Sequence, residues 1–144
     1  MTEQLLSTIT TTAKALGHPV RLRLLAMLFG GPLCVCQMTA VLAIASSTVS
    51  EHLRELRRAG LLIEKRNGKF VSYRLARSRE AARWVQVVRA GLAGDPVAAA
   101  DAELVARLRR VPVEEFVASG HRLPALSASG RLSPIRRRQE ARES

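Results

Sequence analysis

Cys34 and Cys36 are the only two cysteines of the chain, and they stand one residue apart as Cys34-Val35-Cys36. Thiols at that spacing form a soft-ligand pair for a thiophilic ion, or a dithiol open to oxidation. They make a poor structural disulfide, because the closed ring would be small and strained against the preferred Cα separation. The N-terminus, MTEQLLSTITTTAKALGH, has an early acidic residue and no continuous apolar stretch, so it does not read as an export signal. A cytoplasmic protein with reduced thiols is the expectation. The bland alternative is two small apolar residues packed in a core.

The elements that must position this pair follow from hydrophobic spacing. With 144 residues, 47% hydrophobic but only 3% aromatic, one compact domain with extra segments is expected, its core built from Leu, Val, Ile and Ala. A first helix is expected over Thr2 to Leu16 (Leu5, Ile9, Ala13, Leu16 inward), ended by Gly17-His18-Pro19. A second runs from Pro19 to Phe29, with Leu22, Leu25, Ala26 and Leu28 inward, and Gly30-Gly31-Pro32 stops it. The third covers Cys34 to Ile44, with Val41 and Leu42 inward, and a Ser-Ser-Thr cluster then opens a fourth helix over Ser47 to Ala59. Val49, Leu53 and Leu56 form its stripe, and Gly60 closes it. Strands follow at Leu61 to Arg66 and Lys69 to Leu75, joined by Asn67-Gly68, a strong two-residue hairpin signal. A helix from Ser78 to Leu92 places Ala82, Val85, Val88 and Leu92 on one face. Gly94-Asp95-Pro96 breaks it. A short last helix is expected over Asp101 to Arg110 with Leu104 and Leu108 inward, and Val113 to Ala118 could add a turn.

Third helix, tight turn, fourth helix and hairpin together read as a mainly α, winged helix-turn-helix fold. The buried stripe of the fourth helix leaves Ser46, Ser47, Thr48, Glu51 and Arg54 outside, with Ser50 on the flank. Short hydroxyls at a helix start can bond base edges or phosphates, and Glu51 can accept from a cytosine amino group. Arg54, Arg57 and Arg58 suit phosphates, and His52 suits either DNA or a packing role. Lys65, Arg66 and Lys69 gather cations at the hairpin tip. The net charge of +11 calls for a polyanionic partner, and no apolar run is long enough for a membrane span. The charge alone would equally suit a ribosomal or nucleoid protein binding without sequence preference. His18, His52 and His121 form no triad-like arrangement and no glycine-rich phosphate loop is present, so an enzyme is not expected.

The stretch from Ala15 to Leu75 resembles the ArsR/SmtB family of metal- and metalloid-responsive bacterial repressors. The matching pieces are AKALGHPVRLRLL, LCVCQMTAVL, SSTVSEHLRELRRAGLL and NGKFVSYRL. The resemblance implies a homodimer built on the first and last family helices, here Thr2 to Leu16 and Ser78 to Leu92. It also implies double-stranded operator DNA with an inverted repeat as partner, and release of that DNA on effector binding. The expected organisation is a DNA-binding and dimerisation domain over 1–94, a helical extension over 95–120 and, where composition shifts to Ser, Pro, Gly and Arg, a basic and largely disordered tail over 121–144 that includes Arg136-Arg137-Arg138. The arsenical repressors of the family resemble it most, their E-L-C-V-C-D-L matching here at Cys34, Val35 and Cys36 but departing at Pro32, Gln37 and Met38. Zinc-sensing members carry His and carboxylate ligands on the last helix; SREAARWVQVVRAGL has no His and no Asp.

Cys34 and Cys36 are therefore the implied ligands of an As(III) or Sb(III) inducer, with a persulfide- or peroxide-sensing dithiol as the alternative. The family's trivalent site takes three sulfurs, and this chain supplies two per subunit. Met38, a cysteine of a second subunit, an exogenous thiol, water or halide could complete it, and a methylated arsenical needs only two. On a regular helix, residues i and i+2 project roughly 200° apart, so a frayed first turn is expected at this pair. The helix N-terminus is expected to favour thiolate.

Overall fold

A computed structural model describes residues 2–123. The expected basic tail lies, from residue 124 onward, outside the described residues. Chain order is α1 (Thr2–Leu16), α2 (Pro19–Met27), a 3-10 turn (Leu28–Gly30), β1 (Leu33–Cys34), α3 (Val35–Leu42), α4 (Ser46–Arg58), β2 (Leu62–Asn67), β3 (Phe70–Leu75), α5 (Arg79–Leu92), α6 (Pro96–Leu108) and α7 (Val113–Ala118). The fold is the mainly helical winged helix-turn-helix that the sequence pattern calls for. A three-stranded antiparallel sheet of order β1-β3-β2 forms its wing.

The helix-turn-helix is built as its periodicity dictates. Val49, Leu53 and Leu56 of α4 are fully buried, and each contributes roughly 1.5–3 kcal/mol by leaving water. They meet Met38, Val41 and Leu42 of α3 in one core. The turn between the helices passes through Ala43, whose positive φ of 56° satisfies the left-handed cap and lets its N–H donate to the Thr39 carbonyl.

Several expectations need correction. Cys34 is outside α3: it is extended, pairs with Ser72 of β3, and precedes the first helical residue. The two-residue hairpin loop is Gly68-Lys69, since Asn67 pairs with Phe70. Gly68 alone takes positive φ there, which moves the loop one residue from the Asn-Gly register. On α2, Leu24 and Met27 are buried while Leu22 and Ala26 are half-covered, because the helix is wrapped from several sides. On α5 it is Ala81, not Ala82, that joins Val85 and Val88 in the core, the i, i+4, i+7 solution one residue earlier. On α1, Leu5, Leu6 and Ile9 are 66%, 70% and 55% exposed, an apolar face left uncovered among the described residues.

The C-terminal extension is longer than its pattern announces. Asp95 caps α6 by accepting from Ala98 N–H, and Pro96 fits the first turn, so the helix starts five residues before Asp101. Val105, Leu108 and Phe116 join the same core as the winged helix. Buried Asp101 clamps the extension to α2 by accepting from Arg23 Nε at 2.8 Å and Nη2 at 2.9 Å. Asp101→Ala should cost about 1–3 kcal/mol in denaturant unfolding, since Arg23 is partly exposed and can rehydrate. An unchanged midpoint would mean that α6 docks by apolar contact alone.

Candidate effector site and nucleic-acid interface

Cys34 and Cys36 open into one cleft of about 810 Å³ between α3, the exposed side of α4 and the wing. Ser46, Ser50, Arg54 and Arg57 line it from α4, and Glu64, Arg66, Phe70 and Tyr73 from the hairpin, with Lys69 at the tip. The geometric objection to i, i+2 convergence does not apply here. Cys34 has extended backbone (φ −77°, ψ 152°) while Cys36 lies in the first helical turn. Both cysteines line one cavity, one from the extended segment and one from the first helical turn.

Gln37 makes this junction. Its side-chain Oε1 accepts from the Cys34 N–H at 2.8 Å, and the residue itself is buried. The departure from the arsenical signature at this position therefore retains a helix-start acceptor. Arg109 fixes the approach to Cys34 from the other side. Its guanidinium donates to the carbonyls of Pro32 (2.8 Å), Gly31 (2.7 Å) and Met27 (3.4 Å).

Both thiols are shifted upward, opposite to the expected helix-terminus effect. For Cys34, burial dominates, followed by the negative charges of Cys36 and Glu114. For Cys36, burial outweighs the hydrogen bonds that the backbone N–H groups of Gln37 and Cys36 offer its sulfur. Both cysteines are unbridged. Among the described residues, no group of three or more His, Cys, Asp and Glu is arranged to hold a metal ion.

The other sequence-selected residues divide into two groups. Ser46, Ser47, Thr48, Glu51, Arg54, Arg58, Lys65, Arg66 and Lys69 are exposed, with Ser50 half-buried at the cleft. Around these residues Glu64 pairs with Arg57 and with Arg66 (3.5 Å), and Glu55 with Arg58 (2.7 Å). Arg54 and Lys69 have no carboxylate partner among the described residues. His52 stands apart. Its Nδ1 accepts from Arg21 Nε at 3.1 Å and its ring lies 4.5 Å from that of His18, which caps α2. Burial, then His18 and Arg21, lower its pKa, and its ring packs against the α2 start.

Among the cleft residues that sequence reasoning did not select are His121 and Thr39. His121 reaches it because α6 and α7 carry the chain back to α3, a path with no local signature. Thr39, one turn beyond Cys36, lines the cleft with a buried hydroxyl oxygen that has no hydrogen-bond partner.

An exposed, hydroxyl- and arginine-bearing second helix beside a basic β-hairpin defines the winged helix-turn-helix class of transcriptional regulators. The family model for the "Bacterial regulatory protein, arsR family" matches residues 18–64. The transcriptional regulator HlyU from Vibrio vulnificus is 31% identical, with a TM-score of 0.52, over 61% of this chain and 91% of that one. This chain belongs to the ArsR family. It is also similar to the arsenic resistance transcriptional regulator ArsR1 of Pseudomonas putida, 40% identical over 62 residues, 43% of this chain and 47% of the relative. The homodimeric winged helix-turn-helix domain Mb0332 of Mycobacterium bovis, a possible ArsR-family regulator, has a TM-score of 0.58 at 27% identity, over 64% of this chain and 84% of that domain. The chain spans about half the length of the curated relatives it matches.

Two outcomes follow. Alkylation of Cys34 and Cys36 by iodoacetamide should be slower than that of free cysteine at pH 7 and rise with pH, with a midpoint above the ordinary thiol value of about 8.5. A midpoint below it would contradict the burial argument. Arg109→Ala should release the Gly31 and Pro32 carbonyls, with that of Met27 at the end of α2, and speed alkylation severalfold at fixed pH; an unchanged rate would show the turn is held without it.

Proposed function

We propose that this chain is a homodimeric transcriptional repressor that binds an inverted-repeat operator and releases it when trivalent arsenic or antimony binds Cys34 and Cys36. The observation that carries the reading is the shared cleft: the two thiols face the same cavity as Ser50, Arg54, Arg66 and Lys69. An ion bonded to both sulfurs would alter the position of α3 against α4 and the wing, where DNA must seat. DNA binding itself is supported by the exposed face of α4, the basic hairpin and a net charge of +11. In this reading the α4 hydroxyls and Glu51 face base edges, while Arg54, Arg58, Lys65, Arg66 and Lys69 hold phosphates. His52 holds the base of α4 against α2 and meets DNA only at its margin.

Homodimer formation is supported by the uncovered apolar face of α1 and by Val87, 65% exposed on α5. The Mycobacterium bovis domain of the same architecture is homodimeric by its description. The metalloid is supported by thiophilic chemistry and by the arsenic-resistance role in the name of the Pseudomonas relative.

Arsenite should release the reduced protein from operator DNA in a mobility-shift titration. Cys34→Ser and Cys36→Ser should each raise the arsenite needed by at least tenfold while still binding DNA. Release by a persulfide donor but not by arsenite or antimonite would replace the metalloid by thiol oxidation at the same pair.

A further inference from the structure

We propose that the cleft beside the cysteine pair binds a small anionic thiol, which supplies the third sulfur to arsenic held by Cys34 and Cys36. This inference rests on the metalloid reading above and adds the identity of a co-ligand. Two thiols are all that one subunit offers, the Met38 thioether is fully buried in the core, and among the described residues no group of three or more His, Cys, Asp and Glu is arranged to hold a metal ion. The surrounding space is selective. Arg54, Arg57, Arg66 and Lys69 line it against one carboxylate, Glu64, which Arg57 and Arg66 already engage. Arg54 and Lys69 are left to pair with an incoming anion. Phe70 and Val71 give the walls apolar area. About 810 Å³ is within the range of sites that take molecules of tripeptide size.

The chemistry balances without an oxidant. Arsenous acid, As(OH)3, exchanges its three hydroxides for Cys34 Sγ, Cys36 Sγ and the sulfur of the small thiol. Three As–O bonds break and three As–S bonds form. The three thiol protons leave with the hydroxides as three waters, and arsenic stays trivalent. The carboxylates of the co-ligand then lie along Arg54 and Lys69, where DNA phosphate would otherwise be expected. The bound complex would therefore oppose DNA by charge and by volume as well as by any motion of α3.

The test uses DNA-free reduced protein with arsenite and an equimolar mixture of mercaptosuccinate, 2-mercaptoethanol and cysteamine, followed by native mass spectrometry. The mercaptosuccinate ternary adduct should exceed the cysteamine adduct roughly tenfold, the order expected of two partly exposed charge pairs. In the R54Q/K69Q double variant that ratio should fall below about threefold, with circular dichroism reporting its folding. Equal adducts on the natural chain overturn the proposal whatever the variant does. Phenylarsine oxide, which needs only two sulfurs, is the separating arm. If it binds while arsenite takes up no small thiol, the co-ligand is refuted and the metalloid reading stands. If phenylarsine oxide also fails, the metalloid reading falls with it.

Discussion

Cys34 belongs to a strand and a helix start at once, and the architecture of the site depends on that double attachment. Its backbone pairs with Ser72 of β3, its N–H is held by Gln37 of α3, and the next residue begins the helix. The cysteine pair, the wing and the first helix of the helix-turn-helix thus share one covalent and hydrogen-bonded junction. Tyr73, next to Ser72 on β3, is buried with Met38, Val49 and Leu53 in the same core. Close-packed interiors transmit small displacements rather than absorb them. A displacement at the thiols would therefore be felt by both α4 and the wing.

The C-terminal helices stiffen that junction from behind. Asp101 ties α6 to α2 through Arg23, and Arg109 gathers three carbonyls of the segment leading into β1. Phe116 is buried in the common core, and His121 beyond it returns to the cleft. The extension thus adds restraint to a turn that contains Gly30, Gly31 and Pro32. It lies beyond residues 18–64, the part matched by the family model.

Much of this was legible in the sequence, for physical reasons. The α4 stripe and the break at Gly60 rest on local periodicity, and both elements formed where that periodicity put them. The hairpin was legible, but its loop slipped by one residue because cross-strand pairing, rather than the Asn-Gly dipeptide, sets register. Cys34 was misplaced into α3 because β1 is only two residues long and exists through its long-range partner, Ser72. The thiol shift was read with the wrong sign: a helix terminus was weighed, whereas burial by residues distant in sequence prevails. His121 has no local signal for the cleft, because only tertiary packing brings it to the cysteines, and Thr39 on α3 carries no charge or thiol to single it out. The apolar face of α1 was legible as spacing, but the spacing could not tell a core face from one left for a second chain.

The central claim is that metalloid binding at Cys34 and Cys36 and DNA seating across α4 and the wing are mutually unfavourable. Thermodynamic linkage makes that claim measurable from either side. The most direct measurement is arsenite affinity of the reduced protein, free and saturated with operator duplex, by isothermal titration in the same buffer and salt. The account predicts weaker arsenite binding to the DNA complex, by the factor with which arsenite weakens DNA binding. Equal arsenite affinity for the free and DNA-bound protein would contradict it.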